Sequence, residues 1–359
     1  MSVTSKEKVA AALNRNNGGC VPAAITPWQS TLSKWIDQGY LPDEDFWEHF
    51  DLDLRRGGGC VNSVANMDFE PEILEETEFT KLVLDGNGAK LRLHKAHEST
   101  PEHVDFLVKD NKSWLEYAKP FLLNFDQRRI DIDGYAEGRT IAAENDRFYY
   151  HASMAPFEQM QRLCGHEYLL MGMALDPDWV KDMVMTYAKM TVKHLEELFG
   201  RCGRPDGMFY FEDMGFKEKP FMSPAMYNEI MFPGHKLLFD FAHSIGCKVI
   251  VHSCGYVEPL LPGLIEAGMD CLQAMEVKAG MDLPRLFDRF GDRIAFFGGF
   301  DVRALISNDK EQIDKEFEKV KYVLKNGGGY ILHSDHSEPP EIEYETIEYF
   351  LEKGRNYNC

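Results

Sequence analysis

The sequence has little positive charge, and this shortage excludes whole classes of partner. Its 359 residues contain 39 lysines and arginines against 59 acidic residues, which gives a formal net charge of -20. So acidic a balance disfavours broad contact with phosphate backbones or with anionic lipid. Nucleic acids and membrane surfaces are therefore not expected partners.

The sequence also lacks long apolar runs and paired cysteines. The first residues, MSVTSKEKVAAALNRNNGG, contain no apolar stretch of signal-peptide length. No run reaches the roughly 18 apolar residues that a membrane-spanning helix needs. The eight cysteines are scattered without paired spacing, which is typical of reduced thiols rather than of a disulfide framework. We therefore expect a cytoplasmic protein.

The second half of the sequence alternates short β-rich segments with helical segments. The predicted strands, two of them earlier in the chain, are CVPAAIT (20–26), RFYYHAS (147–153), GMFYFED (207–213), KVIVHSC (248–254), DCLQAMEV (270–277), RIAFFGGFD (293–301) and GYILHSDH (329–336). The predicted helices cover 176–200, 224–245 with a bend near Pro233, 258–267, 283–290 and 309–325. Such alternation predicts a parallel sheet covered by helices.

Residues 65 to about 110 have a different pattern. Short alternating pieces such as KLVLD and AKLRLH are joined by the turn sequence DGNG, which predicts an antiparallel hairpin or meander. One (β/α)8 TIM barrel with this insertion explains the length better than two equal domains. The sequence therefore predicts an α/β protein in which residues 1–359 form a single domain.

Polar side chains gather where the predicted strands end. They are Glu212, Asp213, His252, Cys254, Gln273, Glu276, Asp301, His333, Asp335 and His336. In a parallel barrel the carboxyl ends of the strands meet at one mouth, where active sites are built. Core packing explains these residues poorly, because a buried polar group without a partner costs roughly 2 to 7 kcal/mol. We expect them to face one another.

His252 and Cys254 are the strongest candidates for metal ligands. Side chains two residues apart leave the same face of a strand, and an imidazole with a thiolate favours zinc. We expect His336 as a third ligand, although His333 offers a competing choice. Glu212 is a candidate fourth ligand that could equally orient a ligand or bind substrate.

The remaining polar residues are assigned to catalysis or to substrate contact. Glu212 and Asp335 are the candidate catalytic groups. The candidates for substrate contact are Trp28, Asp213, Gln273, Glu276, Asp301 and His333, and Trp35 and Phe300 are further candidates for the pocket wall.

Several segments together resemble the uroporphyrinogen decarboxylase superfamily, over nearly the whole chain. They are CVPAAITPW, MAPFEQMQRLCGHEYLLMGMALDPDWV, GMFYFEDMG, IVHSCGYVEPLLPGLIEAGMDCLQ and GGYILHSDHSEPPEIEYE. This resemblance implies a (β/α)8 barrel and two functional branches, the porphyrinogen decarboxylases and the zinc-dependent, corrinoid-linked methyltransferases. The decarboxylase branch carries an Arg-Gln-Ala-Gly-Arg-Tyr signature that grips carboxylates. The comparable stretch here, TPWQSTLSKWIDQGY, contains no arginine, so a polycarboxylate tetrapyrrole is a poor substrate.

The methyltransferase branch is the better match. Its His-x-Cys zinc pair corresponds to His252 and Cys254, and His336 stands where a second cysteine is expected. The Asp-His-Ser segment before two prolines, and the insertion, resemble members found with methyl-ether demethylation systems. The resemblance therefore implies Zn²⁺ and methyl transfer between a small methylated substrate, such as an aryl methyl ether, and the cobalt of a separate corrinoid protein. One thiolate and two imidazoles would leave the zinc site formally at +1, which suits an oxygen ligand.

Two other functions stay open at this point. One is a metal-independent decarboxylase or other lyase acting on a small carboxylated molecule. The other is a non-catalytic partner of a corrinoid protein.

Overall fold

The computed structural model describes residues 3–17, 20–95 and 101–356. The strands are β1 (Leu54–Arg56), β2 (Glu72–Glu76), β3 (Thr80–Leu84), β4 (Ala89–His94), β5 (Glu102–Phe106), β6 (Phe148–Met154), β7 (Gly207–Phe211), β8 (Lys248–Ser253), β9 (Cys271–Ala274), β10 (Ala295–Gly298) and β11 (Tyr330–Ile331).

The helices alternate with these strands in the second half of the chain, as predicted. They are α1 (Ser5–Leu13), α2 (Gln29–Asp37), α3 (Phe46–His49), α4 (Asn111–Tyr117), α5 (Lys119–Leu122), α6 (Ile132–Glu144), α7 (Pro156–Leu175), α8 (Pro177–Cys202), α9 (Pro224–Met226), α10 (Phe232–Ser244), α11 (Leu261–Ala267), α12 (Leu283–Phe290), α13 (Val302–Ile306), α14 (Lys310–Lys325) and α15 (Tyr344–Arg355). Short 3₁₀ turns cover Gln127–Arg129, Glu258–Leu260 and Val277–Ala279, and a π-helical turn covers Tyr227–Met231. None of the helices in the described ranges is long and apolar enough to cross a membrane.

The main sheet is parallel and closes on itself. Its strand order is β1-β6-β7-β8-β9-β10-β11. The predicted strand at 20–26 joins the two ends, because Ala23 pairs with Leu332 on one side and accepts a hydrogen bond from the Asp53 N–H at 3.0 Å on the other. Only this short bridge forms there, since Pro22 has no N–H to donate. The predicted TIM-barrel fold is confirmed.

Apolar side chains form two layers of core around the sheet. Inward-facing residues of the strands pack with Val9, Ala12 and Leu13 of α1, which fill the amino-terminal end of the barrel. The outward-facing residues pack against the surrounding helices. Because α1 fills one end, the open space of the barrel lies at the carboxyl ends of the strands.

Local sequence signals explain where several helices begin. The Asp176 side chain accepts a hydrogen bond from the Trp179 N–H at 3.3 Å, and Pro177 occupies the first turn of α8. The predicted helix at 224–245 is interrupted as expected, since a π-helical turn precedes Pro233 at the start of α10.

The insertion predicted at 65–110 is a separate antiparallel sheet of β2, β3, β4 and β5. Its DGNG turn forms because the Asp85 side chain accepts hydrogen bonds from the Asn87 and Ala89 N–H groups, both at 2.9 Å. The sheet packs on α7, where Gly165 has a φ of 68° and a Cβ would come within 2.3 Å of the Phe106 ring. The absence of a side chain at Gly165 therefore allows the Phe106 ring to pack directly against α7. Residues 96–100 of the predicted insertion lie outside the described residues.

Candidate active site

Three possible metal ligands converge at the ends of β7 and β8. Phe211 of β7 pairs with His252 of β8, so Asp213 lies directly beyond that pair and beside Cys254. The His252 Nε2 atom is 3.4 Å from Asp213 Oδ1 and 3.4 Å from Cys254 Sγ. Within the described part of the chain, these three residues offer ligand atoms that all lie within 4.8 Å of one another. We refer to Asp213, His252 and Cys254 as the strand-end cluster.

Neighbouring groups hold the strand-end cluster in position. The Cys254 N–H donates to Asp213 Oδ1 at 2.8 Å, which ties the ends of two strands together. The Gln273 Oε1 atom accepts a hydrogen bond from His252 Nδ1. This bond places the imidazole proton on Nδ1, so the Nε2 lone pair is left to face Asp213 and Cys254. Such a partner on the second ring nitrogen is the usual companion of a metal-binding histidine.

The electrostatics of the strand-end cluster favour a cation. Burial raises the pKa of the Cys254 thiol, and the Asp213 and Glu276 carboxylates raise it further. A carboxylate, an imidazole lone pair and a sulfur thus meet at one point. A divalent cation would offset the repulsion and stabilise the thiolate. An N, S and O donor set with room for a further ligand fits zinc.

An apolar cavity of about 520 Å³ opens on the strand-end cluster from inside the barrel. Aromatic side chains from several strands form much of its wall. Its lining residues include Tyr40, Phe46, Trp47, Arg56, Tyr150, Phe209, Phe211, His252, Cys254, Gln273, Phe297, His333 and His336. The Phe211 ring lies 5.5 Å from the His252 ring in an edge-on contact. The cavity can therefore enclose a small apolar molecule beside the cluster.

A second, more polar cavity reaches Cys254 from another side. It has a volume of about 1010 Å³ and is lined by residues of the antiparallel insertion and of α7. Asp213, Glu158, Arg162 and His103 are among its lining residues. Cys254 is thus part of the wall of both cavities.

The structure does not bring Glu212 to the strand-end cluster. Its side chain is fully buried and accepts hydrogen bonds from the N–H groups of Phe157 and Glu158 at 2.9 and 3.0 Å. His235 Nε2 lies 2.5 Å from the same carboxylate and bonds on its other side to Tyr227. Glu212 therefore anchors the start of α7, and the expectation that it is a ligand or catalytic group is corrected. Asp213, expected only as a substrate contact, provides the carboxylate.

The two histidines near the end of the chain have separate environments. His336 lines the apolar cavity but is not one of the three clustered groups, and its Nδ1–H donates to the Ser337 carbonyl at 3.2 Å. His333 also lines the cavity, with both ring nitrogens engaged by Thr26 Oγ1 at 2.5 Å and the Ser334 carbonyl at 2.6 Å. His336 thus remains a candidate that the geometry places beside the cluster rather than in it.

Asp335 has a structural role in the observed geometry. It accepts hydrogen bonds from the Val277 N–H at 2.7 Å and the Val302 N–H at 2.8 Å. These bonds tie together the loops after β9, β10 and β11. Burial raises the pKa of this carboxyl to about 6. The expectation that Asp335 is catalytic is therefore not supported by its surroundings.

Two other predicted substrate contacts are also engaged elsewhere. Glu276 accepts from the Gly255 N–H at 2.8 Å and pairs with Lys278 at 3.1 Å. Asp301 caps α13 and pairs with Arg303 at 2.7 Å. Gln273, in contrast, lines the apolar cavity while it orients His252.

Of the three aromatic candidates for the pocket wall, one lies beside a cavity residue and two lie in the core. Trp28 is 45 % exposed and lies edge-on to His336, with ring centroids 6.3 Å apart. Trp35 and Phe300 are fully buried in the helix-packed core and do not line either cavity. Of the two roles open to these residues, pocket wall or plain packing, the structure shows packing.

Several cavity residues were not anticipated from the sequence, although one signal could have found them. In GMFYFED, strand alternation places Phe209, Phe211 and Asp213 on one face and Glu212 on the other. Applying that rule beyond His252 and Cys254 would have selected Asp213. The sequence contains no comparable signal that Arg56 and Tyr150 would line the cavity.

Comparison with solved structures supports the fold. A methyltransferase from Methanosarcina mazei aligns over 100 % of both chains with a TM-score of 0.66 and 15 % sequence identity. A Xaa-Pro dipeptidase with bound methionine in the active site aligns over 50 % of this chain and 43 % of its own, at 13 % identity. Its TM-score is 0.25, too low to indicate a shared fold. No curated protein sequence matches the chain.

The sequence itself identifies the family. The model of the uroporphyrinogen decarboxylase (URO-D) family matches residues 150–357, more than half of the chain. That region contains the three strand-end residues and the last strands of the barrel. The chain belongs to the uroporphyrinogen decarboxylase family.

Proposed function

We propose that this protein is a zinc-dependent methyltransferase that moves a methyl group between a small methylated substrate and the cobalt of a corrinoid protein. An aryl methyl ether is the substrate type that fits best. The observation that carries the proposal is the convergence of Asp213, His252 and Cys254 on the wall of an aromatic cavity. The likeness in fold to the Methanosarcina mazei methyltransferase supports it.

The strand-end cluster would hold the zinc ion. A bound zinc ion would act as a Lewis acid on the heteroatom that carries or accepts the methyl group. His252 presents Nε2 because Gln273 holds its other nitrogen. Asp213 and the Cys254 thiolate would together offset the charge of the divalent ion. Three protein ligands leave a position for the substrate heteroatom.

The apolar cavity would bind and orient the substrate. Phe209, Phe211 and Phe297 supply ring faces and edges, and the volume of about 520 Å³ suits one small ring. These walls exclude water from the reacting heteroatom, which strengthens every electrostatic interaction at the strand-end cluster. The polar cavity on the insertion side offers a second approach to Cys254, by which the corrinoid protein could present its cobalt.

Zinc content and methyl transfer test the proposal together. We expect about one zinc ion per chain in freshly purified protein, and methyl-cobalt formation when Co(I) corrinoid protein is supplied with candidate aryl methyl ethers. Cys254→Ser and His252→Ala should lose the metal, whereas His336→Ala should retain it. Arg201→Gln, on the outer surface of α8, serves as a control. Full methyl transfer by metal-free protein would refute the zinc dependence, and metal-free decarboxylation of a carboxylated molecule would instead favour a lyase.

A further inference from the structure

Arg56 is the charged side chain of the apolar cavity. It is the last residue of β1, where the chain enters the barrel mouth. The other described lining residues are apolar or aromatic or carry neutral polar groups and imidazoles. The Arg56 side chain is exposed at this end of the cavity, so its guanidinium is free to meet an anionic group of a bound molecule.

The protein supplies no carboxylate to Arg56. Within the described residues, no Asp or Glu oxygen lies within 4.0 Å of its guanidinium, whereas the adjacent Arg55 pairs with Asp45 at 2.9 Å. The Arg56 guanidinium contacts the Cys60 sulfur at 3.2 Å and the Phe211 ring, whose centroid is 5.5 Å from the guanidinium carbon. Burial raises the pKa of the Cys60 thiol, so that sulfur stays neutral and provides no counter-charge.

Tyr150 adds a hydroxyl group beside this guanidinium. The two residues are register partners in β1 and β6, and both line the cavity. The Tyr150 ring packs on Phe209 at 5.6 Å between centroids. Its hydroxyl has no hydrogen-bond partner among the described residues. A guanidinium and a phenol O–H side by side can both donate to one carboxylate.

Arg56 and His252 both lie against the same wall residue, Phe211, which limits the distance between them. The Arg56 guanidinium carbon and the His252 ring centre each lie 5.5 Å from the Phe211 ring centre, so they are at most about 11 Å apart. A benzene ring with a carboxylate at one end and an ether oxygen at the other is shorter than that upper limit. Phe211 would then flank the substrate ring between the two polar ends.

Building on the proposed function, we propose that Arg56, assisted by Tyr150, binds a carboxylate on the substrate. The substrate class is then the methyl ethers of aromatic carboxylic acids, with the ether oxygen at the strand-end cluster. The same contact would favour the acids over neutral ethers of equal shape, because only a carboxylate can pair with the guanidinium.

A matched pair of ligands tests this assignment. Binding of 4-methoxybenzoate and of its neutral analogue 4-methoxybenzamide is measured by calorimetry on the metal-free full-length protein. We expect the acid to bind roughly 10- to 100-fold more tightly, as for a hydrogen-bonded charge pair. Arg56→Gln should abolish the preference, Arg56→Lys should keep part of it, and Tyr150→Phe should reduce it several-fold. Arg201→Gln, which removes a surface charge on α8, should leave it unchanged.

The outcomes separate this assignment from the methyltransferase proposal. Equal binding of acid and amide, binding of neither, or a preference that survives in Arg56→Gln would each overturn the role of Arg56. Arg56-dependent binding without any methyl transfer would leave that role intact and count against the methyltransferase instead. Methyl transfer with equal kcat/KM from neutral and anionic ethers would support the methyltransferase and count against the role of Arg56. Thermal unfolding of each variant shows whether it is folded.

Discussion

Neutralising either of two adjacent carboxylates should have different effects, one on zinc affinity and the other on the stability of the fold. Asp213 lies in the strand-end cluster, whereas Glu212 points away from it into the start of α7. Replacing each by its amide changes little in size. The pair of variants Asp213→Asn and Glu212→Gln therefore separates metal binding from stability within one strand end.

Asp213→Asn should weaken zinc binding and leave the fold intact. An amide oxygen can still accept the Cys254 N–H that Asp213 accepts at 2.8 Å, so the strand ends stay together. The negative charge beside His252 and Cys254 is lost. Loss of an outer partner alone typically costs 10- to 100-fold in metal affinity, so we expect a decrease of at least about that size.

Glu212→Gln should destabilise the protein and spare the zinc site. The Glu212 carboxylate is fully buried and accepts from two backbone N–H groups and from His235. Glutamine has one acceptor oxygen, so its NH₂ group must face at least one of these donors. Charge-assisted bonds and unsatisfied buried donors of this kind are worth roughly 2 to 4 kcal/mol together.

Zinc competition with a chromogenic chelator and urea unfolding measure the two effects. We expect Asp213→Asn to shift the zinc dissociation constant with little change in the urea midpoint, and Glu212→Gln to do the opposite. If folded Glu212→Gln lost zinc while Asp213→Asn kept it, the assignment of ligands at this strand end would be refuted.

Three further predictions follow from the surroundings of the same residues. Gln273→Leu should lower zinc affinity about 10- to 100-fold in the chelator assay, because the His252 Nδ1 proton loses its acceptor; unchanged affinity would contradict the orienting role. The metal-free Cys254 thiol should react slowly with iodoacetamide at pH 8, since burial and nearby carboxylates raise its pKa, and Asp213→Asn should speed the reaction; equal rates would contradict that electrostatic account. The pKa of Asp335 is raised from 3.8 to about 6, so the folded state binds its proton more tightly than the unfolded state. Its contribution to stability therefore falls as pH rises from about 4 to 6, and Asp335→Asn should flatten that slope in urea unfolding; an unaltered slope would refute the shift.

The sequence predicts the barrel well because its signals are local and repeated. The predicted helix at 283–290 has the observed bounds of α12, and the one at 309–325 begins one residue later because Asp309 caps α14. The strand at 20–26 is harder to predict in detail. Pro22 limits its hydrogen bonding to a short bridge, and nothing local shows that it closes the sheet between β11 and β1.

The site is predicted only where a regular strand fixes the direction of side chains. His252 and Cys254 follow the two-residue period at the end of β8 and do lie together. His336 lies five residues beyond the end of β11, where that period no longer applies. Its position therefore depends on loop contacts, such as the bond to the Ser337 carbonyl, that the sequence does not display.

The observed carboxylate changes the chemistry expected of the metal. One thiolate with two imidazoles would leave a divalent ion formally at +1, whereas Cys254 with Asp213 would bring it to neutrality. A neutral site would attract an anionic substrate less strongly, so the attraction for a negative group would have to come from elsewhere in the cavity. Arg56, without a carboxylate partner of its own, is placed to supply it. Charge recognition and heteroatom activation would then reside at opposite ends of one aromatic cavity, so each could be altered by substitution without the other.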